Sequence, residues 1–115
     1  MTIKREELAT TNFDDVTTGE LIDPIHPGSI LKEDFLDDLG ITPYACAKAI
    51  GVPTPRINDV CKLKRAITPE TALLLGKFLG TSAQFWTNLQ ASYDLEMAER
   101  AIHDQIENVQ QFVAA

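Results

Sequence analysis

Between positions 54 and 65 the chain reads TPRINDVCKLKR, a dense set of polar and basic side chains interrupted by Ile57, Val60 and Cys61. On a helix, apolar residues spaced by three and four share one face. Thr54, Pro55, Arg56, Asn58, Asp59 and Lys62 are then left facing outward. Their types suit the edges of base pairs. A guanidinium such as Arg56 can pair with guanine or with phosphate, and a carboxamide such as Asn58 can read adenine in the major groove. Thr54 falls at the start of the segment, where free backbone amides attract phosphate. Lys62, Lys64 and Arg65 follow directly and can grip the flanking backbone. Asp59 runs against the trend: it either selects cytosine or holds Arg56 in place.

Such a set reads DNA only if something holds it rigidly against the body of the protein. The preceding residues supply the parts of a helix-turn-helix over residues 43–62. Ala47 is small enough to let two helices cross closely, and Gly51, four positions on, tolerates the positive φ of a tight turn. Ile57 and Val60 can clamp the second helix onto Cys46, Ile50 and Val52. The competing reading is an ordinary helical hairpin whose lysines merely solvate a face.

Further punctuation frames this pair. His26-Pro27-Gly28 opens a helix with Ile30, Leu31, Phe35, Leu36 and Leu39 at helical spacing, and Gly40 stops it. Thr42-Pro43 opens the second helix, and the third covers about 54–62. Thr68-Pro69-Glu70 caps a fourth helix, whose apolar face comprises Ala72, Leu73, Leu75, Gly76, Phe78 and Leu79. Thr81-Ser82 caps a fifth over about 83–99, extending toward Val109, with Phe85, Trp86, Leu89, Tyr93, Met97 and Ala101 at helical spacing. Its aromatic stripe serves either as core or as an interface, with core the expected role of Phe85 and Leu89; dimer contact falls to the C-terminal half. No strand-like alternation occurs. The expectation is an all-α domain over residues 25–115, preceded by an arm of low intrinsic order over residues 1–24 with one helical turn at 5–9.

The 115 residues, 44% hydrophobic, fit one compact domain plus a tail. A net charge of −7 argues at first against a polyanionic partner, but the charge is uneven. Residues 43–79 hold Lys48, Arg56, Lys62, Lys64, Arg65 and Lys77 against Asp59 and Glu70, while every other stretch is acidic. One basic patch in an acidic body suits two partners of opposite charge. There is no apolar run of membrane-spanning length and no secretory signal at the N-terminus. Cys46 and Cys61 fall on buried helix faces without metal-ligand spacing, and His26 and His103 are isolated. These features point to a reduced, cytoplasmic protein with no metal and no cofactor. A GxSxG elbow, a P-loop, HExxH and a Cys/His pair are all missing, so no catalytic residue is assigned.

Two stretches carry a family resemblance. IHPG at residues 25–28 and ITPETALLLGKFLGTSAQFWTNLQASYDLEMA from Ile67 resemble the HigA-type antitoxins, the virulence-associated protein I branch of the lambda-repressor-like, XRE-type helix-turn-helix proteins. The likeness covers about residues 25–100. Its most specific part is Phe85-Trp86-x-Asn88-Leu89-Gln90 with Tyr93-Asp94. It implies a five-helix lambda-repressor-like domain with a C-terminal helical extension. It further implies a homodimer on palindromic double-stranded operator DNA, repression of the protein's own operon, and neutralisation of a basic HigB/RelE-type toxin that cleaves mRNA. Cys46, Cys61, the Pro53-Thr54-Pro55 run and the long arm depart from the pattern. Given such a toxin, Glu33, Asp34, Asp37 and Asp38 on the outer face of the first helix either dock it or form a solvated face. The arm either wraps it or is idle. A stand-alone transcriptional regulator without a toxin is the alternative function.

Overall fold

The computed structural model describes residues 23–114, which contain helix and coil only. Helix α1 is continuous but changes character along its length. Pro27–Ser29 is α-helical, Ile30–Leu36 is π-helical, and Asp37–Leu39 is α-helical again. It is followed by α2 (Pro43–Ile50), α3 (Thr54–Cys61), α4 (Pro69–Leu79), α5 (Ala83–Ala101) and the short α6 (His103–Asn108). The expected five helices are therefore present, with a sixth as the C-terminal extension. None of the described helices is long and apolar enough to cross a membrane.

Local chemistry explains most of the boundaries. Thr42 Oγ1 accepts the Ala45 N–H at 3.0 Å, Thr68 Oγ1 the Thr71 N–H at 3.2 Å, and Ser82 Oγ the Phe85 N–H at 3.0 Å. Each such cap is worth about 1 kcal/mol. Gly51 ends α2 at φ 79°, a left-handed conformation that only glycine adopts cheaply. Its N–H and that of Val52 both return to the Ala47 carbonyl, at 2.9 and 3.0 Å, and so close the turn of the helix pair.

Leu31, Leu36, Cys46, Ala47, Ile57, Val60, Ala72, Leu75 and Trp86 form a fully buried core. Ile57 and Val60 do clamp α3 against Cys46, with Ile50 and Val52 packed at the margin. Four residues expected on buried faces are not there: Leu39 is 58% exposed, Leu73 63%, Phe78 38% and Phe85 37%. For Leu39 the cause is the π-helical stretch, whose wider turn shifts the register of everything after it. The same geometry brings Lys32 and Asp37, five residues apart, into an ion pair at 2.6 Å. On α4 the buried arc is narrow and carried by Thr71, Ala72, Leu75 and Gly76, leaving Leu73 and Phe78 outside.

Trp86 is the centre of the core, and Phe85 is its rim. The indole is fully buried and its N–H donates to Thr81 Oγ1 at 2.7 Å. Phe85 and Phe35 pack against it at ring distances of 4.9 and 5.1 Å, joining α5 to α1. The fifth helix does not run unbroken to Val109: Ile102 leaves helical geometry at φ −119°, ψ 27°, and α6 restarts behind it. The arm expected over residues 1–24, with its helical turn at 5–9, lies outside the described residues except for Asp23 and Pro24. Asp23 meets Arg100 at 3.4 Å.

Among the described glycines, the closest approach lies where α1 begins. A Cβ placed on Gly28 would stand 1.8 Å from the carbonyl oxygen of Val60 on α3. In an exposed helix a Gly→Ala change gains up to about 1 kcal/mol; at position 28 the backbones must separate instead. Gly28→Ala is therefore expected to destabilise the fold by about 1–3 kcal/mol. Chemical denaturation checks the sign; an unchanged or raised midpoint would contradict the packing.

Candidate nucleic-acid interface

Polar side chains tie the start of α1 and the loop leaving α3 to α5. His26 is buried; its Nδ1 accepts the Gly28 N–H at 2.8 Å, and its ring meets that of Tyr93 edge-on at 4.8 Å. Gln90 is buried on α5; its Oε1 accepts the Ile67 N–H at 2.8 Å, and its Nε2 donates to Asp94 Oδ1 at 2.8 Å. The chain leaving α3 is thus tied to α5 through a side chain that satisfies an otherwise orphaned buried amide. His26, Gln90, Tyr93 and Asp94 set the placement of the interface without lying on it. Sequence reasoning did not assign them this role, although all four sit inside the stretches that carry the family resemblance.

With α3 fixed, its outer side presents the expected set. Pro55, Lys62, Lys64 and Arg65 are exposed, while Thr54, Arg56, Asn58 and Asp59 are half-buried at their stems. Arg56 borders a shallow hollow shared with Val52, Glu70, Leu73 and Leu74. The start of α3 is less generous to phosphate than expected. Pro53 is the N-cap and offers no side-chain bond, Pro55 has no N–H, and the Arg56 N–H is already given to the Pro53 carbonyl at 3.0 Å. Thr54 is the first-turn amide best placed to meet an anion. On its exposed side α2 adds Lys48, 5.7 Å above the Tyr44 ring.

The end of α3 is built in an unusual way. Leu63 has φ 66°, left-handed and without the glycine that normally serves there. Its N–H donates to the Val60 carbonyl at 3.0 Å and the Lys64 N–H to the Asp59 carbonyl at 2.8 Å. That pair of bonds is a Schellman cap, and it turns the chain back over α3. The reversal brings Arg65 to Asp59 at 3.9 Å. Asp59 therefore holds Arg65, and the expectation that it would hold Arg56 is corrected. The sequence could not show this, because the pairing depends on the conformation of Leu63.

Cys46 and Cys61 are free. Burial pushes the Cys46 thiol up to about 11 and raises that of Cys61, so both stay protonated and unreactive at neutral pH. Among the described residues no cluster of His, Cys, Asp or Glu could hold a metal ion. Glu33, Asp34, Asp37 and Asp38 are all exposed on α1, Asp37 being occupied by Lys32. Leu95, Met97, Ile102, Ile106, Val109 and Phe112 are between 43% and 86% exposed, an apolar stretch that no other described residue covers.

A short helix crossed by a second at a glycine turn, with a basic outer edge and three supporting helices, defines a lambda-repressor-like helix-turn-helix protein. No protein-family model matches the chain. It is 47% identical over 76 residues to virulence-associated protein I of Dichelobacter nodosus, covering 66% of this chain and 70% of that protein. With antitoxin HigA-1 of Vibrio cholerae it shares 35% over 72 residues, 63% of this chain and 68% of that one. The Pseudomonas aeruginosa antitoxin HigA, solved with the higBA promoter, superposes with a TM-score of 0.76 at 42% identity, covering 78% of this chain and 99% of that chain. The chain belongs to the HigA antitoxin family, together with virulence-associated protein I.

Two consequences can be measured. Burial lowers the His26 pKa below 6.5, with the Asp94 carboxylate opposing the shift. The neutral ring is what caps Gly28, whereas the unfolded chain takes up its proton near 6.5. The contribution of His26 to stability is therefore complete above pH 6.5 and is lost as the pH falls through the folded-state value. Thermal melts between pH 7.5 and pH 5 are expected to drop in the wild type and to drop less in His26→Asn, which retains a capping side chain. Leu63→Gly removes the left-handed strain and is expected to add about 1 kcal/mol to stability; a lower melting temperature would show that the leucine side chain outweighs the strain.

Proposed function

We propose that this protein is the antitoxin of a toxin-antitoxin module: a cytoplasmic, non-enzymatic repressor that binds operator DNA as a homodimer and neutralises a basic, mRNA-cleaving toxin. The single observation that carries the DNA-binding half is the rigidly anchored α3, whose outer side gathers Arg56, Asn58, Asp59 and Lys62 beside Lys64 and Arg65. In this reading α3 lies in the major groove. Arg56 and Asn58 read base edges, with Thr54 and Pro55 at the helix start against the backbone. Lys62, Lys64 and Arg65 hold phosphates after the helix. Operator binding by this chain is also supported by its likeness to an antitoxin solved with a promoter.

The acidic remainder fits the second partner. Glu33, Asp34, Asp37 and Asp38 project from α1 as an anionic face suited to a basic RNA-binding toxin. The exposed apolar side chains from Leu95 to Ile106 suit a second copy of the chain. Two helix-turn-helix units joined in this way would read half-sites about 34 Å apart.

The test is binding to a duplex taken from upstream of the protein's own coding sequence, against a scrambled duplex, at several salt concentrations. Arg56→Ala or Asn58→Ala is expected to cost about 1–3 kcal/mol at one base position and to relax specificity there. Lys64→Ala is expected to weaken both duplexes alike and to flatten the salt slope by about 0.9. Equal losses on both duplexes for Arg56→Ala would show that it reads no base. For the toxin, the decisive result is co-purification of a small basic protein; retention of that partner at full affinity by a variant lacking all four α1 carboxylates would move the docking face elsewhere.

A further inference from the structure

The geometry points to the Asp59–Arg65 pair as a selectivity gate on the DNA-binding face: Asp59 withholds Arg65 from phosphate until a base offers the carboxylate an amino group. This inference rests on the DNA-binding reading above and concerns the regulation of that same surface.

The argument begins with the cap on α3. Because Leu63 is left-handed and Lys64 N–H returns to the Asp59 carbonyl, the backbone on either side of the pair is fixed. Asp59 cannot drift from the exit of α3, and Arg65 is folded back toward it rather than trailing into the loop. Their charged atoms stand 3.9 Å apart with side chains 39% and 46% exposed. A pair of that length and exposure is weak and exchangeable. It is an ion pair that can open, placed where phosphates would arrive.

Of the basic residues on the DNA-binding face, Lys48, Arg56, Lys62, Lys64 and Arg65, Arg65 alone has a carboxylate partner among the described residues. Asp59 thus acts as a built-in substitute for phosphate. On DNA of arbitrary sequence, moving Arg65 to the backbone leaves Asp59 facing an anionic duplex with nothing in return. A unit charge about 4 Å away in water-like surroundings changes an equilibrium by about fivefold. On the correct sequence the loss is repaid, because a carboxylate is an acceptor that cytosine N4–H2 can satisfy in the major groove. The carboxylate that looked like an objection to DNA binding becomes the element that separates operator from bulk DNA.

The experiment compares wild type, Asp59→Asn, Arg65→Gln and the double variant on the upstream duplex and on its scrambled counterpart across a salt series. Asp59→Asn is expected to tighten binding to the scrambled duplex about fivefold and to steepen its salt slope by up to about 0.9 as Arg65 is released. Arg65→Gln is expected to erase that gain. Replacing each C·G pair of the protected site by T·A is expected to reveal one position costing the wild type roughly tenfold and the Asp59→Asn protein nothing. The cap uses the Asp59 backbone, so Asp59→Asn is expected to keep its melting temperature. Unchanged or weaker binding of Asp59→Asn to the scrambled duplex overturns the gate, as does the lack of any cytosine position whose effect depends on Asp59. Failure of the wild type to prefer the upstream duplex overturns the DNA-binding reading itself, and the gate with it.

Discussion

Where the backbone of α1 touches the backbone of α3, at Gly28 and the Val60 carbonyl, no side chain intervenes to absorb an error. Side-chain packing can adjust by a rotamer change, whereas a carbonyl against a Cα position cannot. That contact fixes the height of α3 above the body, and two further ties remove its remaining freedom. His26, which caps the same turn, is pinned by Tyr93 on α5, and Gln90 captures the Ile67 amide beyond the exit loop. A protein that distinguishes bases by hydrogen bonds must hold its donors to a fraction of an ångström. Here the rigidity comes from residues that never approach the ligand.

The negative total charge and the anionic partner are reconciled by screening. At physiological ionic strength a charge is felt over about 8 Å, so a phosphate beside α3 would respond mainly to whichever charges stand nearest it, among them the basic side chains of Arg56, Lys62, Lys64 and Arg65. A net negative charge would slow encounter with DNA slightly.

Much of this was legible in the sequence because the information was local. The caps at Thr42, Thr68 and Ser82, the hinge at Gly51, the crossing residue Ala47 and the clamp of Ile57 and Val60 all depend on neighbours a few positions away. What escaped depends on distant packing. Periodicity places Phe85 and Trp86 side by side on one helix but does not say which of them turns inward; the fit against Phe35 and Thr81 decides it. The π-helical stretch of α1 left only the five-residue spacing of Lys32 and Asp37 as a trace, and it exposed Leu39. Nothing about a leucine announces a left-handed conformation, so the partner of Asp59 could not be read until the chain reversal at Leu63 was seen.

Helix α5 has a geometric consequence of its own. Its 19 residues run unbroken from Ala83, one turn before the buried Trp86, to the exposed apolar end near Ala101, a rod of about 28 Å. Its first half is tied through Gln90 to the loop that follows α3, and its far end carries the exposed apolar side chains. In a dimer joined at that end such a rod would work as a ruler: its length and the direction in which it leaves the core would set the distance between the two α3 helices. Lineages that add or remove a turn beyond Asp94 would shift the spacing of the half-sites they recognise while leaving the letters of each half-site untouched. On the proposed reading, spacing and base preference would diverge independently, one set by α5 and the other by α3.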